Sequence, residues 1–406
     1  MAGGAVVGGG VAGVLEAGDF LPQTERVEAA RITATAVTRE RGPNFIQDLQ
    51  RGAATRGPGN RRRVPLRHVA CTRNPHRFAG KRWAIGQARG AVYIGTSGYD
   101  YPHWRGAFYP RGLPRSRWLA HVSRAFNSVE LNGTFYSLKS PDIFRRWARE
   151  TPEDGFVFAI KGSRFITHNL KLTRPQPALG NFLASGILAL GGKTGPFLWQ
   201  LPPGYAFRPE RVEAFLKLLP ADSTAAERVA RRHDHRVRGR ALLRAAAAVR
   251  YRHAFEVRHP SFLSPAFYDL LRAHGCAFVI ADSAGKFVRA DEVTADFVYV
   301  RLHGSGALYA GGYPAGELDE WAARIGRWAA PGQEPARDVY VYFDNDALGN
   351  APRDAAGLTE RVRGLLGDLV PDRLRTSSRS SEAQAPRSRS GRTRRASRRT
   401  LRPSLA

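Results

Sequence analysis

Cysteine is scarce in this sequence of 406 residues: Cys71 and Cys276 are the two present, and neither lies in a Cys-x-x-Cys pair. They cannot build a disulfide framework, which excludes the small disulfide-stabilised secreted domains and indicates a reducing compartment. Runs of about 18 apolar residues are also lacking, so no membrane span is predicted. The apolar N-terminus has no basic segment before it, unlike a signal peptide. We therefore expect a cytoplasmic monomer that does not bind membranes.

Acidic residues are few beside basic ones, 35 against 63, and the formal net charge is +28. Three segments hold nearly all of this excess. Residues 1–90 carry 15 basic and 6 acidic side chains, residues 228–252 carry nine Arg and one Asp, and residues 373–406 carry 11 Arg and one Glu. The remainder is close to neutral. Such segments predict weak, salt-dependent binding of nucleic acid rather than a basic folded domain.

The composition also divides the chain into three parts. Residues 1–90 show no lasting period and are predicted to be a low-complexity, disordered extension. Residues 371–406 are rich in Arg and Ser and are predicted to be a disordered tail. Residues 91–370 are predicted to form one folded domain, which contains an Arg-rich insert at 221–252.

Between the two extensions, β-rich runs alternate with amphipathic helical patterns. The eight runs are Val92–Gly98, Ser128–Tyr136, Phe156–Lys161, Pro196–Pro202, Ala254–His259, Ala277–Asp282, Phe297–Gly304 and Val339–Asp346. Only the link between the sixth and seventh runs is too short and polar for a helix. Eight such units over about 280 residues predict a closed (β/α)8 barrel. A doubly wound open sheet is the alternative, because alternation alone does not show closure.

Polar residues of one parity collect at the carboxyl ends of these runs, where barrel enzymes have their active sites. They are Glu130, Asn132, Lys161, Gln200, Glu256, Arg258, Asp282, Arg301 and His303. The interior of a barrel is ordinarily apolar, and buried charges are costly unless paired. The set therefore predicts a ligand site, with a structural ion-pair network as the alternative.

Aromatic residues in the following loops, among them Tyr99, Trp104, Tyr136 and Tyr309, are typical of a rim that binds a sugar or a nucleobase. The alternative is that they cap the core. A metal site is not expected, because the cations Lys161, Arg258 and Arg301 would crowd it. No cofactor is expected either.

Six segments resemble the YecE-like family, domain of unknown function 72. They are YIGTSGYDYPHW (93–104), FNSVELNGTFYSL (126–138), LWQLPP (198–203), FEVRHPSF (255–262), VRLHGSGALYAGGY (300–313) and YVYFDND (340–346). The resemblance spans about residues 91–370 and implies a TIM barrel, but no established reaction. It adds His168, His259, Asn345 and Asp346 to the set of candidate site residues.

Three functions remain open from the sequence. The first is an enzyme, of hydrolase or transferase type, that acts on an anionic or sugar-like small molecule. Its catalytic candidates are Glu130, Glu256, Asp282 and His303, because carboxylates in unlike environments can hold different protonation states. The substrate-binding candidates are Tyr99, Trp104, Asn132, Tyr136, Lys161, His168, Gln200, Arg258, His259, Arg301, Tyr309, Asn345 and Asp346. The second is a repair-type barrel that binds nucleic acid, and the third is a barrel that binds a ligand without turnover.

Overall fold

The computed structural model describes residues 89–330 and 336–369. The predicted disordered extension and tail fall almost wholly outside these residues. Eight parallel strands form a closed barrel in sequence order, and β1 pairs with β8. This closure confirms the predicted (β/α)8 architecture and excludes the open sheet. Within the described ranges, no helix is both long and apolar enough to cross a membrane.

The strands are short and entirely or almost entirely buried. Their bounds are β1 Val92–Ser97, β2 Ser128–Leu131, β3 Val157–Lys161, β4 Thr194–Gln200, β5 His253–Glu256, β6 Ala277–Asp282, β7 Phe297–Leu302 and β8 Asp338–Phe343.

The helices alternate with the strands and cover the barrel. Their bounds are α1 Trp118–Ala125, α2 Gly133–Tyr136, α3 Pro141–Arg149, α4 Gln176–Ala184, α5 Pro209–Leu216, α6 Ser223–Ala230, α7 Pro265–Ala273, α8 Ala315–Ala329 and α9 Asn350–Leu366. Helix-capping residues mark where α7 begins. The Ser264 hydroxyl accepts a hydrogen bond from the backbone N–H of Phe267, and Pro265 occupies the first helical position. The predicted absence of a helix between β6 and β7 is confirmed.

Six strands end earlier than the sequence predicts, and the local reason can be given for β2 and β5. β2 stops at Leu131, because the hydroxyl of Thr134 bonds the carbonyl oxygens of Leu131 and Lys161 and the chain turns into α2. β5 stops at Glu256, and the side chain of His259 then accepts a hydrogen bond from the backbone N–H of Ser261 in a short 3-10 turn. The polar residues just beyond both strands still follow the strand ends.

The barrel interior is filled unusually, with tyrosines packed against small residues. Tyr93, Tyr299, Tyr340 and Tyr342 share the interior with alanines contributed by several strands. The branched aliphatic side chains lie mostly between the sheet and the helices instead. Interior tyrosines bring hydroxyl groups to the barrel axis, and these require hydrogen-bond partners when buried.

The Arg-rich insert is an ordered part of the connection between β4 and β5. Asp222 caps α6 by accepting from the backbone N–H of Ala225. The return segment is held against α4, because the backbone N–H of Asp234 bonds Asn181 and that of Leu242 bonds the carbonyl of Ala184. The insert is therefore an integral part of the helical layer, although most of its arginines are exposed.

Candidate functional site

Arg301 lies at the centre of an ionic network at the carboxyl end of the barrel. Its guanidinium is fully buried and contacts three carboxylates. Nη2 lies 2.8 Å from Oε1 of Glu130 and 2.8 Å from Oδ2 of Asp344, and Nη1 lies 2.7 Å from Oε2 of Glu256. Nη2 also donates to the hydroxyl of Ser97 at 2.8 Å, and Nε donates to Glu130 at 3.1 Å. The guanidinium is thus engaged on every nitrogen by protein groups.

This engagement corrects one expectation. Arg301 was expected to clamp an anionic ligand, but its donors already bond the acceptors of its own protein. A guanidinium has five N–H donors in a fixed fork, so no donor face is left over for a second bidentate partner. Arg301 therefore organises the site rather than presenting itself to a ligand.

Glu130 and Glu256 are held in different surroundings on either side of Arg301. Glu130 also accepts a hydrogen bond from the hydroxyl of Tyr299 at 2.7 Å and one from Ser97. Glu256 is bonded instead by Nε of Arg258 at 3.1 Å. Burial alone raises the pKa of the Glu256 carboxyl, but Arg301 and then Arg258 outweigh it and hold that pKa well below its usual range. Glu256 is therefore ionised at neutral pH, which suits a base, a nucleophile or a structural anion, and not a general acid.

His303 completes the network above Arg301. Its Nδ1 lies 3.1 Å from Oδ2 of Asp344, and its Nε2 lies 3.4 Å from Nη1 of Arg301 and 3.8 Å from Glu256. Burial and the positive charge of Arg301 lower the pKa of His303, so its imidazole is neutral at pH 7. The chain turns away directly after it at Gly304, whose φ of +116° and close contact with the carbonyl of Ala307 exclude any side chain.

Lys161 is the exception among the cations of the site. It ends β3 with 7% of its surface exposed, and its ammonium lies 4.6 Å from the centre of the Phe135 ring. Within the described residues, no carboxylate lies within 4.0 Å of Nζ and no acceptor bonds it. Burial, reinforced by Arg301, lowers the pKa of Lys161 to about 8, although the more distant carboxylates Asp344, Glu130 and Glu256 partly oppose the shift. A buried ammonium without a counter-anion is costly, and this one sits at the end of the barrel where ligands bind.

Two buried amide oxygens flank Lys161 on the neighbouring strands. Asn132 follows β2 and donates through Nδ2 to Ser97, at 3.0 Å from its hydroxyl, while its Oδ1 finds no hydrogen-bond partner in the described part of the chain. Gln200 ends β4, and its buried Oε1 is likewise without a partner among the described residues. Buried acceptors are rarely left without donors in native proteins. This side of the mouth therefore has free capacity for the hydroxyl groups of a ligand.

Strand parity identified most of this network but misplaced one carboxylate. Asp282 was expected inside, yet Ala281 occupies the interior position of β6 beside Arg301, and Asp282 faces outward. Its carboxylate accepts from the hydroxyl of Tyr313 at 3.2 Å. The expectation that Asp282 belongs to the interior set is wrong, since the interior residues of β6 have odd numbers.

Three members of the network were not singled out from the sequence: Ser97, Tyr299 and Asp344. Strand alternation could have identified two of them. Asp344 shares the parity of the interior residues Tyr340 and Tyr342, and Ser97 shares that of Tyr93. The family resemblance drew attention to Asn345 and Asp346 instead.

Asn345 and Asp346 follow the end of β8 and contact other connections and α9 rather than the ionic network. Nδ2 of Asn345 donates to Oδ2 of Asp354 at 2.8 Å, which ties it to α9. The backbone carbonyl of Asp346 accepts from Nε1 of Trp104 at 3.0 Å. Trp104 is fully buried, and Tyr99 accepts from Trp147 at 2.8 Å, so both cap the core. The contacts of Tyr99 and Trp104 are therefore those of residues that cap the core, which was the alternative to a ligand-binding rim.

The remaining candidates lie in the loops around the mouth. The Tyr309 hydroxyl accepts from Arg258 at 3.2 Å. The His168 ring packs edge-on against Phe135 at 5.2 Å, and Tyr136 packs against the same ring at 5.0 Å while 52% exposed. His259 lies at the 3-10 turn described above. A binding role for these residues stays a prediction.

The fold and site together define a TIM-type barrel whose carboxyl end holds a buried ionic network beside a lysine that forms no direct ion pair with the described residues. The chain matches the family described as Protein of unknown function DUF72 over residues 93–375, and it belongs to that family.

Relatives in both sequence and structure agree with this membership. The UPF0759 protein YecE of Escherichia coli (strain K12) is 31% identical over 134 residues, which is 32% of this chain and 45% of that protein, so the match spans less than half of its length. The UPF0759 protein YunF of Bacillus subtilis (strain 168) is 22% identical over 315 residues, 70% of this chain and 99% of that protein. A DUF72 family protein of Thermotoga maritima superposes with a TM-score of 0.52 at 25% identity, covering 67% of this chain and 99% of that one.

Proposed function

We propose that this protein is an enzyme, of hydrolase or transferase type, that acts on an anionic, sugar-like small molecule bound at the carboxyl end of the barrel. The observation that carries the proposal is Lys161: a buried ammonium without a carboxylate partner in the described chain, at the mouth of a TIM-type barrel. A phosphate or carboxylate group of the ligand accepts the hydrogen bonds that this ammonium does not donate to the described protein.

The flanking amides support the sugar-like part of the ligand. Oδ1 of Asn132 and Oε1 of Gln200 are buried acceptors, and they sit on the strands to either side of Lys161. Hydroxyl groups donate to such acceptors, and a site with unpaired buried acceptors discriminates strongly against ligands that lack the hydroxyls. An anionic group and several hydroxyl groups on one small molecule satisfy both features.

The acid–base work is assigned to Lys161 rather than to a pair of carboxylates, because both ring nitrogens of the buried His303 face groups of the protein. Because burial brings the pKa of Lys161 to about 8, both of its protonation states are populated near neutral pH. Glu256 is locked in its ionised form between Arg258 and Arg301, so it acts as a positioning residue that keeps the two guanidinium groups in place. This revises the expectation that Glu130 and Glu256 divide the roles of acid and base.

The test is binding and turnover with defined ligands. The wild type and Lys161→Met are titrated calorimetrically with inorganic phosphate, a hexose monophosphate and gluconate, and phosphate release is followed by ³¹P NMR. A charge-assisted hydrogen bond contributes about 1.5–3 kcal/mol, so Lys161→Met is expected to weaken binding at least about tenfold and to abolish turnover.

Lys217→Met is the matched control, because Lys217 is a surface lysine on the barrel exterior paired with Glu213 at 2.5 Å. It is expected to bind as the wild type does. Equal affinity of wild type and Lys161→Met for every bound ligand contradicts the proposal. Binding that depends on Lys161 without any turnover supports a ligand-binding barrel instead of an enzyme.

A further inference from the structure

The exposed aromatic side chains of the described residues lie on the connections that follow two neighbouring strands. Of the tyrosine, phenylalanine and tryptophan residues that the structure describes, only Tyr136 and Phe165 are exposed, at 52% and 43%. Tyr136 ends α2, directly after β2, and Phe165 lies in the loop after β3. Both therefore follow strand ends at the same side of the barrel as Lys161. We call these two residues the aromatic pair.

The Arg-rich insert reaches the same two loops. Nη1 of Arg240 donates to the backbone carbonyl of Lys139, three residues after Tyr136, at 3.1 Å. The guanidinium of Arg236 lies 5.7 Å from the centre of the Phe165 ring. Residues 231–244, which we call the basic arch, thus bring arginines from the connection between β4 and β5 to the aromatic pair.

Part of this positive charge is not neutralised by the protein. Arg236 is paired with Asp234 at 2.7 Å, and Arg231 lies 3.7 Å from Glu227. Arg232, Arg238 and Arg240 are exposed, and no carboxylate of the described residues lies within 4.0 Å of them. The basic arch therefore presents a net positive face next to the aromatic pair.

The loop that carries Phe165 adds more cations in a constrained backbone. Lys171 and Arg174 are exposed and adopt positive φ angles of 46° and 45°, and Leu172 between them has a φ of 63°. Left-handed backbone at non-glycine residues is strained and persists where the surrounding structure enforces it, often at binding sites. Both basic side chains are exposed in the loop that carries Phe165.

From this juxtaposition we infer that the rim formed by the aromatic pair and the basic arch binds single-stranded nucleic acid. Unstacked bases pack on exposed aromatic rings irrespective of sequence, and arginines beside the rings bind the phosphates. A duplex hides its base faces, and a membrane surface needs a continuous apolar face rather than two separate rings among arginines. The inference does not depend on the function proposed for Lys161.

The experiment measures the binding of a fluorescein-labelled oligo(dT) strand to the full chain by anisotropy, across about 50–300 mM salt, because phosphate contacts are read from the salt dependence. The double variant Tyr136→Ala/Phe165→Ala is expected to lose about tenfold or more in affinity, since each stacked base contributes strongly. Its salt dependence should stay that of the wild type. Affinity for a duplex of the same length should be weaker and unaffected by this change.

The double variant Arg238→Gln/Arg240→Gln tests the basic arch, because both arginines are exposed and no carboxylate of the described residues lies within 4.0 Å of them. For single strands, the slope of log affinity against log salt falls by about 0.7 for each phosphate contact removed, so a decrease of about 1.4 is expected. Leu365→Ala and Arg327→Gln are matched controls, because both residues are exposed on helices away from the rim and should leave binding unchanged.

Three results overturn the inference. The first is wild-type affinity in both double variants, which assigns binding to arginines outside residues 89–369. The second is equal loss of duplex and single-strand binding in the aromatic variant. The third is displacement of the strand by polyglutamate or anionic vesicles that bind with the same dependence on the aromatic pair, which identifies an acidic protein or a lipid surface as the partner.

Discussion

The two ends of the barrel both carry ion pairs, but they differ in how deeply the charges are buried and in what surrounds them. At the amino end, Nη1 of Arg252 lies 2.7 Å from Asp338 and donates to the hydroxyl of Tyr340 at 3.0 Å. The other oxygen of Asp338 accepts from the backbone N–H of Ala91 at 2.8 Å. Tyr93 stacks on Tyr340 at 4.9 Å and covers the pair. Every charged group named here has a protein partner.

At the carboxyl end, Arg301 is likewise paired with three carboxylates. The polar side chains next to this network do not all have partners in the described protein. Lys161 has no anion of its own, and the amide oxygens of Asn132 and Gln200 are without donors among the described residues. Charged residues in a barrel therefore do not by themselves indicate function, because ion pairs can close either end. Buried polar groups without protein partners distinguish a ligand site from an ion-pair network that is purely structural.

The largest effect is expected from Arg301→Met. This change leaves Glu130, Glu256 and Asp344 in the interior without their common cation. Removal of one partner from a buried ion pair costs about 3–5 kcal/mol, so the free energy of unfolding should fall by at least that amount in urea titrations.

Arg252→Met at the amino end is the control for that measurement. Arg252 is 22% exposed and its partner Asp338 is 21% exposed, so water can solvate the carboxylate that remains. A smaller loss of stability is expected. Equal losses at both ends would mean that the two networks do not differ in the way described.

A smaller effect is expected for Glu256→Gln, on the pH dependence of the free energy of unfolding in acid. The folded state holds the pKa of Glu256 below its unfolded value, so its contribution to stability is present above that unfolded value and is lost as the pH falls further. Between about pH 5 and 3, wild-type stability should fall more steeply than that of Glu256→Gln, by up to about 1.4 kcal/mol per pH unit. Parallel pH profiles would show that Glu256 is not held ionised by Arg258 and Arg301.

The smallest effect is expected for Lys161→Met, on the free energy of unfolding at alkaline pH. The pKa of Lys161 is lowered to about 8 in the folded state, so the unfolded chain binds its proton more tightly above that pH. Wild-type stability should therefore rise relative to Lys161→Met between about pH 8 and 9.5, by about 1.5 kcal/mol. At pH 7 the variant should be at least as stable as the wild type. A variant that is much less stable would reveal a structural partner for the ammonium.

The barrel could be predicted from the sequence because its signal is repeated eight times. Periodic alternation of strands and helices survives errors of a few residues at any one boundary, as at β2, where the chain turns into α2 after Leu131. The polar character of the carboxyl end could be predicted for a related reason. A charged residue at an interior position, such as Arg301 between Tyr299 and His303, conflicts with an apolar core.

The division of roles could not be predicted from the sequence. Nothing in the pattern distinguishes Arg301, which is saturated by protein carboxylates, from Lys161, which is not, because both are cations that end buried strands. The error at Asp282 has a similar origin: a strand end fixes the position of a residue along the barrel, but the face depends on one residue of register. The rim formed by Tyr136, Phe165 and the basic arch depends on contacts between three separate connections.

A crystal structure of the protein grown with a hexose monophosphate tests the central claim most directly. We expect the phosphate group to bind within hydrogen-bond distance of Nζ of Lys161 and the sugar hydroxyls to donate to Oδ1 of Asn132 and Oε1 of Gln200. The contacts of Arg301 with its three carboxylates should be unchanged. A ligand bound elsewhere, with Lys161 paired to a protein carboxylate and both amide oxygens bonded by protein donors, would contradict it.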